Sequence, residues 1–204
     1  MAGVTGVLIA ANVMVFLLQA GAPDALVGDY ALWPLGRFVV PELGRSVGFA
    51  PWQLITSGFL HGGLAHLAVN MFALFMFGRD VERRVGAGRF FQLYFASVLV
   101  AALTQLAVVS GAQEGLPYPT VGASGGVFGI LLAFAMFFPR RQLMLIFPPI
   151  PMPAWLFVAL YAVVELTLGV TGSAAGIAHF AHLGGMVGAF LMIRRWRRRG
   201  RPRW

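Results

Sequence analysis

The sequence predicts an all-α membrane protein, a polytopic bundle of six transmembrane helices, and three observations carry that fold class. Of its 204 residues 59% are hydrophobic and 11% charged, with a mean hydropathy of +0.80. A soluble domain has about a quarter of its residues charged and could not bury so much apolar surface. Apolar stretches recur six times, and the basic residues, all 15 of them arginine, cluster on alternate connections between those stretches.

The stretches run over residues 4–20, 54–77, 90–109, 121–138, 154–170 and 177–193. Crossing a bilayer takes about 20 mostly apolar residues, with about 17 as a lower limit, so each qualifies or nearly does. The first lacks the basic flank of a secretory signal and carries Asn12 and Gln19, which makes it a membrane helix. The connection after it, 21–52, holds Trp33, Phe38, Val39, Val40 and Trp52; it is too apolar for a solvated linker and is expected to lie partly embedded on the outer side. Arg79, Arg83, Arg84 and Arg89 follow the second stretch, Arg140 and Arg141 follow the fourth, and seven arginines follow the sixth. The opposite connections hold only Arg37 and Arg45. By the positive-inside rule both termini are cytoplasmic.

Residues 1–204 read as one domain, with 194–204 a basic cytoplasmic tail that anchors to membrane lipids. Arginines confined to helix ends point to anionic lipid and not to nucleic acid. The absence of cysteine excludes disulfides and thiolate-rich metal sites.

Polar groups within a span are costly and usually mark a buried contact or a water-lined cavity. They stand here at His61, His66 and Asn70 in the second stretch, Ser124 in the fourth, Glu165 in the fifth, and His179 and His182 in the sixth. Counting from the cytoplasmic arginines at about 1.5 Å per residue puts Ser124, His66 and His182 roughly 24, 20 and 18 Å into a core about 30 Å thick. Three helices thus deliver a hydroxyl and two imidazoles to one layer. The fourth helix is also short: from Ser124 onward it spans roughly 22 Å, leaving about 8 Å on the outer side for a water-filled cavity. The preceding segment 115–122, with two prolines and two glycines, is expected to descend to Ser124 as a loop lined by protein.

Gly122-Ala-Ser124-Gly125 sets the serine at a helix start between glycines, where free N–H groups and the helix dipole favour a developing oxyanion. Small residues after His182 (Gly184/Gly188 and Gly185/Ala189) permit close helix packing, which would bring an imidazole to the serine and activate it without a metal. His66 and Asn70 are i,i+4 neighbours and offer two donors at that depth.

These residues resemble the rhomboid family of intramembrane serine proteases in four ordered blocks: residues 52–70 from Trp52 to Asn70 with His61 and His66 between, 78–90 with Glu82, Arg83 and Gly86, Gly122–Gly125, and Ala181-His182-Leu-Gly-Gly185. The resemblance implies a rhomboid-like fold and hydrolysis of peptide bonds in single-span transmembrane substrates near the outer face. It implies a Ser124–His182 dyad and an oxyanion hole from the Ser124 N–H with the His66 and Asn70 side chains. Gly122, Gly125 and Gly185 would be structural near the site, as would Glu82 and Arg83, which would order the loop around the second and third helices. No cofactor or metal is implied. A bacterial inner membrane is expected from the resemblance and the lean six-span form, and the fifth helix or the loop 171–176 as the place of substrate entry.

Gln53 stands where the family often has arginine after tryptophan, which leaves that loop anchor in question. His179 rivals His182 as the base, since depth does not separate them; the His-x-x-Gly match favours His182. His61, about 180° around a helix from Asn70, reads as structural. Asn12 and Gln105 read as interhelical contacts. Glu165 lies in the layer of His182; a third catalytic member is conceivable, but a protonated acid bonded within the bundle is the favoured account, and the dyad expects Glu165→Gln to leave most proteolysis intact. The alternative function is a catalytically inactive relative that binds or escorts membrane segments.

Overall fold

A computed structural model describes residues 3–111, 118–144, 149–173, 177–198 and 200. The first helix, α1 (Val4–Gly21), is capped by a residue far along the chain. The Glu82 carboxylate accepts from the Val4 N–H (2.6 Å), the Thr5 N–H (2.9 Å) and the Thr5 hydroxyl (2.7 Å). It thereby satisfies donors that a first helical turn leaves unpaired and sits at the positive end of the dipole. The long connection that follows is folded: α2 (Pro23–Tyr30), then an antiparallel hairpin of β1 (Arg37–Val40) and β2 (Arg45–Gly48). Its apolar residues divide, with Trp33 buried inside the protein and Val39 and Trp52 facing outward.

The second stretch starts later than hydropathy suggested. Residues 53–59 form the short helix α3 (Gln53–Thr56) and a 3-10 turn (Ser57–Phe59), and α4 (Leu64–Ala73) begins only beyond Gly62 and Gly63. Glycine loses the most conformational freedom in a helix, so the pair ends one element and frees the next. From α4 the chain passes through a π turn (Leu74–Gly78) into α5 (Arg79–Val85). Arg79, Arg83 and Arg84 therefore lie on a helix and not in the connection, which is reduced to Gly86 with φ 84° before α6 (Ala87–Gly111). Hydropathy marks where lipid ends; the backbone hydrogen-bond ladder continues past it.

Next come α7 (Ser124–Phe137), the short hairpin β3 (Gln142–Met144) with β4 (Pro151–Pro153), α8 (Ala154–Thr171) and α9 (His179–Arg198). The last helix takes in Arg194 to Arg198, so the start of the basic tail is helical. Among the described residues, four helices are long and apolar enough to cross a membrane: Val4–Gly21, Leu64–Val85, Ala87–Gly111 and Ala154–Thr171. Between them α7 is shorter, at 14 residues. The chain is thus an all-α polytopic membrane protein.

Glycine lets α6, α7 and α9 pack at backbone distance. A Cβ on Gly126 would lie 2.5 Å from the Tyr94 ring, one on Gly184 2.5 Å from the Thr104 hydroxyl, and one on Gly188 2.8 Å from the Ala96 carbonyl. On α9, Gly184 and Gly188 therefore face α6, while Gly185 abuts the Gly125 carbonyl of α7. By contrast α8 leans on the bundle, with only Ala154, Val158 and Glu165 buried.

Candidate active site

Ser124 is the first residue of α7, and the chain leading to it is clamped. Leu32 and Thr120 exchange backbone hydrogen bonds (3.0 and 2.9 Å), the Gly122 N–H donates to the Ser57 carbonyl (2.9 Å), and Gln105 Nε2 donates to the Thr120 hydroxyl (3.3 Å). Gln105 thus tethers the approach to Ser124. Residues 118–123 are non-helical, as expected; residues 115–117 of that segment lie outside those described. Gly122 has φ 130°, a conformation that favours glycine, and a Cβ there would come within 2.8 Å of His66 Cε1 and 2.9 Å of His66 Nε2. Ser124 itself is only half-buried.

The close α7–α9 contact at Gly125 and Gly185 brings His182 to the serine. His182 Nε2 lies 2.9 Å from Ser124 Oγ. The imidazole lies flat on Phe128, with ring centroids 4.1 Å apart and planes inclined by 4°. Phe128 was not anticipated, although its position four residues after Ser124 puts it on the same helix face. Beyond the ring, His182 Nδ1 is 2.9 Å from Glu165 Oε2, and His179 Nδ1 is 2.7 Å from that same oxygen. His182, not His179, is therefore the imidazole in contact with Ser124.

His66 reaches the site from α4. The Gly62 N–H donates to His66 Nδ1 (3.3 Å), which leaves the proton of a neutral ring on Nε2, the atom turned toward Gly122 beside Ser124. Asn70 is buried and donates Nδ2 to the His66 carbonyl (2.9 Å), keeping a second amide hydrogen. His61 precedes α4 and is not on its face. Its backbone is bonded in both directions by the Gln19 side chain (2.8 and 3.0 Å), and its ring packs edge-on to His66 at 5.2 Å. Asn12 donates back to the Leu8 carbonyl of its own helix (2.8 Å). Gln53 anchors the outer loop as a neutral residue. Its Oε1 accepts from the Trp33 and Ala50 N–H groups, and its Nε2 donates to the Asp29 and Gly48 carbonyls. Glu82 and Arg83 stand apart from the cluster: Glu82 holds α1, and Arg83 pairs with Asp80 at 3.4 Å.

Glu165, His179 and His182 offer ligand atoms within 4.8 Å of one another, a spacing that a metal ion would accept. Both Nδ1 atoms are already engaged by Glu165 Oε2, so the three groups are paired among themselves.

Residues 49–199 match the family model of the Rhomboid domain. The chain is 35% identical over 140 residues to Rhomboid protein 1, mitochondrial, of Saccharomyces cerevisiae, covering 65% of this chain and 38% of that protein. It is 32% identical over 139 residues to Rhomboid protease GluP of Bacillus subtilis (68% and 25%), and 31% over 145 residues to RHOMBOID-like protein 4 of Arabidopsis thaliana (69% and 33%). The chain spans well under half the length of these relatives. With a domain match that takes in His66, Asn70, Ser124 and His182 on a helical membrane fold, this chain belongs to the rhomboid family.

Proposed function

We propose that the chain is a serine-type intramembrane endopeptidase that cuts transmembrane protein substrates near the outer face of the membrane. The observation that carries this reading is the 2.9 Å contact between Ser124 Oγ and His182 Nε2 at the glycine-packed start of α7. A binding module has no need of a nucleophile held against a base.

In the reaction Ser124 Oγ attacks the scissile carbonyl carbon as its proton passes to His182 Nε2. The carbonyl oxygen becomes an oxyanion, stabilised by the Ser124 N–H at the helix N-terminus and by donors from His66 Nε2 and Asn70 Nδ2. Collapse of the tetrahedral intermediate breaks the C–N bond, and His182 returns the proton to the departing amine. Water then repeats the sequence on the acyl-enzyme and releases the carboxylic acid and free Ser124. The clamped loop and the Phe128 stack keep these groups in place before substrate arrives, so little reorganisation is needed in the transition state.

The arginine asymmetry supports cytoplasmic termini, and the proposed location is a bacterial inner membrane. Substrates are single-span helices that enter from lipid, in the region of α8. The deciding experiment is cleavage of a model single-span substrate in proteoliposomes by wild type and Ser124→Ala, alongside labelling with a fluorophosphonate probe. Cleavage and labelling by wild type alone are expected. Equal cleavage by both proteins, or an unreactive wild-type serine, returns the chain to the inactive, segment-binding alternative.

A further inference from the structure

The proposed reaction uses His182 through Nε2 and leaves open what determines the other edge of the ring. Stacking on Phe128 fixes the plane of the imidazole. It does not distinguish the ring from one turned over within that plane, which would exchange Nδ1 with Cδ2 and Nε2 with Cε1. A turned ring would present carbon to Ser124. Something must select the edge, and among the described residues the group at His182 Nδ1 is the Glu165 carboxylate, 4% exposed and 2.9 Å away.

We infer that Glu165 and His179 are positioning residues for the Ser124–His182 pair: Glu165, held on its far side by His179, selects the ring edge and tautomer of His182. The inference rests on the proposed serine reaction and extends it to a chain of four groups, Ser124, His182, Glu165 and His179. With Nε2 facing the serine hydroxyl as acceptor, the proton of the neutral ring is on Nδ1, and only an acceptor can sit opposite it. Glu165 Oε2 is that acceptor. The imidazolium formed after proton transfer keeps its Nδ1–H on the carboxylate, so the bond strengthens as charge develops. No proton need pass to Glu165.

His179 completes the arrangement. It lies one turn before His182 on α9, so both imidazoles project from one helix face toward the single buried acid on α8. Its Nδ1, 2.7 Å from the same oxygen, donates to Glu165 Oε2 and holds that atom in line with His182. A carboxylate tied only to His182 could rotate away; one gripped from two sides cannot without breaking two buried hydrogen bonds. This departs from the dyad expectation, in which Glu165→Gln would leave proteolysis largely intact.

The test compares Glu165→Gln, Glu165→Ala, Glu165→Asp and His179→Gln with wild type in proteoliposomes. Turnover is expressed per active site titrated with the fluorophosphonate probe, so that misfolded protein is not counted. Loss of the carboxylate in the Gln and Ala variants is expected to lower kcat about tenfold or more, with KM within about twofold, because substrate contacts are untouched. Glu165→Asp, which keeps the charge at shorter reach, is expected to recover part of that loss, and His179→Gln to fall between. A kcat within about twofold of wild type in Glu165→Gln overturns the inference, as does a loss that appears only in the number of titratable sites. If Glu165→Gln does not reconstitute, His179→Gln decides: lowered kcat at constant KM supports the inference and unchanged kcat overturns it. Ser124→Ala separates the two levels, since a wild type no more active than Ser124→Ala removes the serine reaction itself.

Discussion

Gly185→Ala tests whether catalysis depends on backbone contact between α7 and α9. A Cβ at Gly185 would overlap the Gly125 carbonyl oxygen and lie 2.8 Å from its carbon and 3.1 Å from Gly125 Cα. All three obstacles are backbone, so no side chain can swing aside. Carbon atoms settle at about 3.5 Å or more, so α9 must retreat from α7 by about 0.7 Å at the least. His182 is three residues away on α9, and Ser124 adjoins Gly125 on α7. The same retreat takes their 2.9 Å contact to about 3.6 Å, beyond hydrogen-bond reach. A misplacement of that order is expected to lower kcat by about 10²-fold and stability by about 1–3 kcal/mol. Proteoliposome cleavage, probe labelling and thermal unfolding in detergent measure the three effects. Gly88→Ala is the control: it lies in the first turn of α6 with nothing within 4 Å of its Cβ, and is expected to be neutral or to stabilise by up to about 1 kcal/mol. Cleavage by Gly185→Ala within twofold of the Gly88→Ala rate would refute the reasoning.

Four further outcomes follow from the same contacts. His66→Ala removes a proposed oxyanion donor beside Gly122 and should lower kcat by about 10²–10³-fold with little change in KM, measured on the model substrate. Phe128→Leu removes the flat surface under His182 and should slow probe labelling about tenfold, while leaving a folded protein by size-exclusion chromatography. Glu82→Gln weakens the cap on α1 and should cost about 1–2 kcal/mol of stability with turnover per titrated site unchanged. Gln53→Leu removes the acceptor of the Trp33 and Ala50 N–H groups and the side-chain donor to the Gly48 carbonyl, while the Asp29 carbonyl keeps its bond from Trp52 Nε1; it should cost about 2–4 kcal/mol, read as a lower unfolding temperature.

Much of the fold was legible because lipid imposes a simple demand on composition, and the apolar stretches answer it. Helix ends were not legible in the same way. The second helix starts at Leu64 and not at residue 54 because Gly62 and Gly63 interrupt a run whose hydropathy does not change. It ends at Val85 because Arg79, Glu82 and Arg83 are good helix formers that merely leave the apolar layer. The layer shared by Ser124, His66 and His182 was readable by counting residues, since rise per residue is constant along a helix. Angular position around the bundle was not, which is why depth left His179 and His182 as rivals and the choice of His182 rested on the His-x-x-Gly match.

The residues that tune the site belong to a different level. Phe128 is one phenylalanine among 18, and nothing local distinguishes it. Its role exists only where its ring meets the His182 imidazole. Likewise Glu165, 14 and 17 residues before its two histidine partners, acquires them only where α8 packs against α9. By itself the sequence determined the solvent, the layer and the chemical groups, because these follow from residue type and axial rise. Only the tertiary structure decided which nitrogen faces which oxygen, because that depends on the rotation and separation of three helices, which the glycine contacts of α6, α7 and α9 set.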